Sequence, residues 1–245
     1  MRSLIKKIFC SLFLYFIFCH SFAYANIKVG AVFFEPPFVF SYKQGFSIDL
    51  VNTVCQGMQE QCDIVSMDFN LLFTALESGT IDVAVGIYID DLRKQRYIFS
   101  LPYMLSSAQF ITLKKNNINS LSQLKGTTVG IVKEEENSGI LYNYLKAQAD
   151  FQFNISLFDD MEDTINALNN NAITSAFLHE STVQYWITND DGIFQTIDKP
   201  VSIGDGIGFM AMPANADLIQ RINQQLQAME NTNAYINLYK TYFNQ

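Results

Sequence analysis

The chain has 245 residues, 24 acidic against 16 basic, and a net charge of −8. A nucleic-acid partner asks for a basic face, so this balance argues against one. The first residues, MRSLIKKIFCSLFLYFIFCHSFAYA, carry Arg2, Lys6 and Lys7, then an apolar run from Ile8, and close on A-Y-A at Ala25. That order is the pattern of a cleaved secretory signal, 1–25. The run is shorter than the ~20 residues of a membrane anchor, and Cys10 and Cys19 each follow a phenylalanine, where lipid attachment normally wants a small residue. Its loss would leave 24 acidic residues facing 13 basic ones, one histidine, His179, and two cysteines, Cys55 and Cys62. In an exported chain an isolated pair reads as a disulfide before it reads as metal ligands. Seven residues of unbroken helix rise about 10.5 Å, beyond the ~7 Å span of a bridge, so a bridge would need the helix to stop between Gly57 and Gln61.

IKVGAV is the first predicted strand, and Glu35-Pro36-Pro37-Phe38 ends it, because proline cannot donate to a ladder. GFSIDLVNTVCQGMQ follows with Ser47 as candidate N-cap and Ile48, Val51, Val54, Cys55 and Met58 on one helical face. DIVSM reads as a strand, Asp68 as the cap of a helix carrying Leu72, Ala75 and Leu76, and IDVAVGI as a third strand. This alternation is the signature of a parallel sheet with crossover helices.

It recurs in VGIV from Val129, a helix through Ile140 to Leu145, a strand near Ile155, a helix with Ile165 and Leu168, and TSAFL. Between the halves, SAQFITLKK leaves the first and GIGFMAMP is placed to return. The expected fold is therefore α/β with two lobes, each a mostly parallel sheet with flanking helices, joined by two hinge strands. Lobe 1 takes residues 26–107 and 206–245, and lobe 2 takes 108–205. Leu218 to Met229 and Ile236 to Phe243 read as two packing helices.

A double crossing suits closure over a ligand, and open α/β sheets place ligands at strand carboxyl ends. Those ends fall after Val32, Ser66, Val85, Val132 and Leu178. Phe33, Phe34, Glu35, Phe69, Gly86, Tyr88 and Arg93 follow the first three. Arginine grips a carboxylate through two parallel donors, which makes Arg93 a candidate clamp. With one histidine left, a histidine-rich metal site is excluded and a Ser/His/Asp triad would have to use His179; beside Glu180 it reads more plainly as a hydrogen-bonded pair. GDGIG at Gly204 precedes a hydrophobic strand, not a helix, so it is a turn and not a nucleotide loop. Glu134-Glu135-Glu136 fits a charged helix start. Nothing here calls for a cofactor, and a monomer is expected.

VGAVFFEPPF, GFSIDLVNTVC, CQGMQEQC, LLFTALESGTIDVAVGIYIDDLRKQRYIFSLPYM and SLSQLKGTTVGIV together resemble the periplasmic solute-binding proteins of ABC uptake systems, in particular the polar, basic amino-acid group. The resemblance implies a periplasmic protein that holds a small solute between two lobes and delivers it to a membrane permease. It places the carboxylate clamp on Arg93 and the stacking aromatic on Phe69, with Gly86 and Tyr88 also on the ligand; Lys94 and Arg96 are left to solvent.

The chain departs from that pattern. Glu134, Glu135 and Glu136 stand where the family has a Gly-Thr-Thr type turn, His179 where it has an ammonium-binding aspartate, Val32 in place of a first-lobe acid, and Glu35 in place of an aromatic. One cation among several acids and aromatic walls suits a ligand with more positive than negative groups. The expected solute is a cationic amino acid or related amine, with Arg93 on its carboxylate, Phe69 and Tyr88 or Phe33 along its stem, and Glu35, Glu135, Glu136 or Glu180 on its positive end. A periplasmic cyclohexadienyl or arogenate-type dehydratase, with Glu135 or Glu180 as general acid, and a sensor component are the competing readings.

Overall fold

Six residues, Ile27–Val32, form strand β1, and every second side chain along it turns into a core under helices. The protein is described by a computed structural model covering residues 26–134, 139–148 and 150–243. The signal segment, Glu135 and Glu136 lie outside the described residues. After β1 the chain runs through a loop with a cis Pro36–Pro37 bond into helix α1 (Phe46–Gly57), then β2 (Cys62–Met67), α2 (Phe69–Glu77), β3 (Val83–Tyr88) and the short β4 (Ile98–Phe99). β1 is parallel to both β2 and β3, as the alternating pattern predicts.

Two capping expectations are corrected here. Gly45, and not Ser47, precedes α1; it sits at φ 137°, a conformation other residues rarely adopt, and a Cβ there would lie 2.3 Å from the Phe38 carbonyl. Ser47 is buried inside the helix, and the loop carbonyls of Pro37 and Phe38 accept from the Phe46 and Ser47 amides, doing the work of a side-chain cap. Asp68 does precede α2, but its side chain makes no capping bond. α1 stops at Gly57, and the Cys55–Cys62 disulfide spans 6.2 Å between Cα atoms, consistent with a helix that ends between the two cysteines.

The second sheet starts with β5 (Ser107–Leu113) and continues with β6 (Thr128–Val132), α3 (Ile140–Ala147), β7 (Asn154–Phe158), α4 (Met161–Asn169), β8 (Ser175–His179), α5 (Glu180–Asn189) and β9 (Phe194–Ser202). β10 (Ile207–Ala211) then returns to the first sheet, and α6 (Ala216–Asn231) and α7 (Ala234–Phe243) complete the described chain. The strand orders are β2-β1-β3-β10-β4 and β7-β6-β8-β5-β9. Each sheet has three parallel strands extended at one side by two more, each paired antiparallel to its inner neighbour. This is a two-lobe α/β fold.

The chain crosses between the sheets after β4 and again before β10, and the two crossings are stitched together. Ile207 donates its amide to the Met104 carbonyl at 2.9 Å and Ile203 to the Ser106 carbonyl at 3.1 Å, while the buried Ser106 hydroxyl bonds the Ile203 carbonyl and accepts from Gly206 at 3.1 Å. GDGIG is a turn within the second crossing, with Gly204 and Gly206 at positive φ. α6 packs as its apolar spacing predicts, whereas on α7 Ile236 is exposed and the aromatic residues make the contacts. Ile219, Ile222, Leu226 and Met229 of α6 are buried, and Tyr235, Tyr239 and Phe243 of α7 surround Phe46 with ring centroids 5.0 to 6.5 Å away.

Candidate functional site

The carboxyl ends of the parallel strands in both sheets face one another across a narrow cavity, about 550 Å³ of empty space including its mouth. From the first sheet come Val32 to Glu35 after β1, Met67 to Phe69 after β2, and Tyr88 closing β3; from the second come Val132 and Glu134 after β6, Asp159 to Met161 after β7, and Leu178 and His179 closing β8. Strand ends carry these groups because the backbone must leave the ladder there and turn into a helix, so α2, α4 and α5 all begin at the cavity.

Arg93 sits on a 3₁₀ turn after β3 and is 2 % exposed. Its Nη1 donates to the Tyr88 carbonyl at 3.0 Å, its Nε lies 3.5 Å from Asp90 Oδ2, and the guanidinium stands 5.1 Å from the Phe73 ring centroid. Asp90 fixes the turn by accepting from the Leu92 and Arg93 amides. Across the cavity, Nη2 meets Glu134 Oε2 at 3.3 Å. Glu134 is 5 % exposed and lines the cavity, whereas Arg93 is not part of its wall. Glu134 precedes Gly139, the N-cap of α3, so it is not in the first turn of that helix as the acidic run suggested. An ion pair with Arg93 holds it instead.

Glu35, His179 and Tyr88 are three ionisable groups of the cavity wall that the site perturbs. The Glu35 carboxyl is pushed up to about 8, first by burial and then by the Glu134 charge; some contact with water at the cleft edge remains. Burial pulls His179 down to about 4, which leaves it neutral at pH 7. Its Nδ1 accepts from the Ser181 amide at 3.1 Å, capping α5, so the ring hydrogen belongs on Nε2, a buried atom without a partner among the described residues. The ring lies edge-on to Phe38 at 5.0 Å and 5.9 Å from Tyr88. Tyr88 itself, buried and beside Glu134 and Glu35, is held well above the usual phenol range.

The chain matches the model of the bacterial extracellular solute-binding proteins, family 3, over residues 27–245. It belongs to that family. Among its relatives, the arginine-binding periplasmic protein of Mannheimia haemolytica is 26 % identical over 212 residues, covering 83 % of this chain and 85 % of the relative. ABC transporter arginine-binding protein 1 of Escherichia coli is 26 % identical over 205 residues, 82 % of each chain. A crystal structure of an arginine third transport system periplasmic binding protein from Legionella pneumophila superposes with a TM-score of 0.83 at 30 % identity, covering 90 % of this chain and all of that one.

In this family 3 solute-binding protein the cavity gathers Phe33, Glu35, Phe69, Tyr88 and His179, and a contiguous pocket adds Gly86. Arg93 lies behind Glu134. Glu180 is not in the cavity wall: it bonds the Ser107 hydroxyl and borders a separate depression between α5 and α7. The expected His179–Glu180 pair is likewise replaced by the bonds to Ser181 and Ser107. Lys94 and Arg96 are solvent-facing and paired, Lys94 with Asp91 and Asp205 and Arg96 with Glu77. Phe34 and Asp68, at the ends of the first two strands as expected, also line the cavity, whereas Asp159 and Asp160 were not anticipated. The strand-end rule, extended to β7, finds the last two.

Proposed function

We propose that the chain captures a small cationic solute, a cationic amino acid or related amine, between two closing lobes and delivers it to the permease of an ABC transporter. The lobes are 26–107 with 206–245, and 108–205, and residues 1–25 are the cleaved signal that takes the chain across the inner membrane. The carrying observation is the acidic lining of the cavity: Glu35, whose carboxyl is pushed up to about 8, Asp68, Glu134, Asp159 and Asp160 line it, and no lysine or arginine does among the described residues. Phe33, Phe69 and Tyr88 supply aromatic faces for the solute's stem and its cation. Gly86 leaves the backbone open beside them, and Glu35 and His179 meet its polar ends. The relatives from Mannheimia haemolytica and Escherichia coli, both named as arginine-binding, point to the same class.

Calorimetry of the chain lacking residues 1–25 tests the reading against arginine, lysine, ornithine, histidine, glutamine and glutamate, with the amines of the first three. Heat from cationic members and none from glutamate is expected. Binding of glutamate alone would discard the charge argument.

A further inference from the structure

The arginine nearest the cavity already has its counterions. Arg93 is buried, Asp90 stands 3.5 Å from its Nε, and Glu134 reaches 3.3 Å from its Nη2 out of the opposite sheet. Glu134 forms cavity wall at the point where a solute would otherwise approach the guanidinium. Its seat is built. Gly139 packs against the Glu134 side chain so closely that a Cβ there would lie 2.2 Å from Oε2 and 2.5 Å from the Glu134 Cβ. The protein thus supplies its own carboxylate to Arg93, and a second carboxylate would have to expel Glu134 from that seat. It would also enter a cavity whose ionisable walls are acidic, where like charges at low dielectric repel strongly.

We propose that the solute taken by this cleft is an organic cation without a carboxylate group, Glu134 occupying the place at Arg93 that such a group would need. The inference rests on the reading above that a cation binds between the lobes, and it selects the amine over the amino acid. His179 adds a second requirement. Its Nε2 is buried at the cavity, carries the ring hydrogen, and has no partner among the described residues; a neutral acceptor on the solute, a hydroxyl or an amide oxygen, satisfies it without bringing negative charge to Glu35 and Glu134.

The test is a matched series that differs only at the carboxylate: arginine, argininamide and agmatine, with lysine and cadaverine as a second pair, titrated into the wild-type chain by calorimetry. Argininamide and agmatine should each bind at least about tenfold more tightly than arginine, a difference of roughly 1.4 kcal/mol. Glu134→Gln removes the carboxylate that faces Arg93 Nη2 and should narrow or reverse that ratio. If arginine binds more tightly than both carboxylate-free forms, the inference falls and the cation reading stands. If no member of either set binds, both fall. The wild-type ratio decides the matter even where the variant folds poorly.

Discussion

In the first sheet the cleft-facing ends of β1, β2 and β3 carry four aromatic rings, Phe33, Phe34, Phe69 and Tyr88, with Met67 and the acids Glu35 and Asp68, over a buried arginine; in the second, the ends of β6, β7 and β8 carry Glu134, Asp159, Asp160 and His179 beside the aliphatic Val132, Met161 and Leu178. The two sheets nevertheless share one design. Both order their three parallel strands with the first in the middle, and both place a glycine in that middle strand under a crossover element. A Cβ on Gly30 would lie 2.4 Å from Ile81 Cδ1, and one on Gly130 2.5 Å from Ile173 Cδ1. A common scaffold therefore presents two different chemistries, because the core sets the strands and leaves the residues beyond their ends free to differ.

The contact that joins the two chemistries gives the largest expected effect. Arg93→Ala strands a buried Glu134, and breaking a buried pair from one side costs about 3 to 5 kcal/mol, less whatever is relieved by the lobes parting. Chemical denaturation of Arg93→Ala, Glu134→Ala and the double variant should show the double variant recovering most of the loss. Additive losses would mean that the pair does not couple the lobes. Next comes a device confined to the first lobe. Replacing Cys55 and Cys62 by serine opens a loop with a sequence separation of 7, and should cost about 2 kcal/mol by the loop-closure argument, read as a lower denaturation midpoint with ligand affinity unchanged.

The pH dependence separates the two sides of the cleft. Glu35, raised from 4.5 to about 8, keeps its proton in the folded state after the unfolded chain has lost it, so its contribution weakens folding as pH rises from about 4.5 to about 8. His179, lowered from 6.5 to about 4, resists the proton that the unfolded chain accepts, so its contribution weakens folding as pH falls from about 6.5 to about 4. The two oppose each other between about 4.5 and 6.5. Above 6.5 Glu35 acts alone, and Glu35→Gln should flatten the decline there in thermal melts across pH. Gly30→Ala and Gly130→Ala, which overpack equivalent places, should each cost about 1 kcal/mol, and unequal losses would show that the two scaffolds are less alike than their topology. Lys94→Ala, on an exposed side chain, should leave stability and binding unchanged within error.

Much of the scaffold was legible because burial leaves a period. β1, β2, α2 and β3 follow the alternation and helical spacing of their apolar residues, and the strand ends after Val32, Val132 and Leu178 open on the cavity. β9 was not anticipated: it is a half-exposed run containing Pro200, with Asp198 at φ 53°, and it shows no clean alternation. α5 begins directly where β8 ends, capped by an imidazole and not by one of the usual small polar residues. Ser47 reads as the cap because propensity does not see the loop carbonyls that accept from the first amides of α1. The role of Glu134 was hidden for another reason. Its partner lies 41 residues away on the other sheet, and an acidic run before a helix carries an adequate local explanation that the tertiary structure overrides.

A cation at rest beside Glu35 in the cleft between the sheets has a direct signature, the release of a proton. A bound cation favours the ionised carboxylate, so binding near pH 7 should expel a proton from Glu35. Calorimetric titrations of the same cation in buffers of different ionisation enthalpy should give heats that differ in proportion, and Glu35→Gln should abolish the difference. Heats independent of buffer in the wild-type chain would contradict the account.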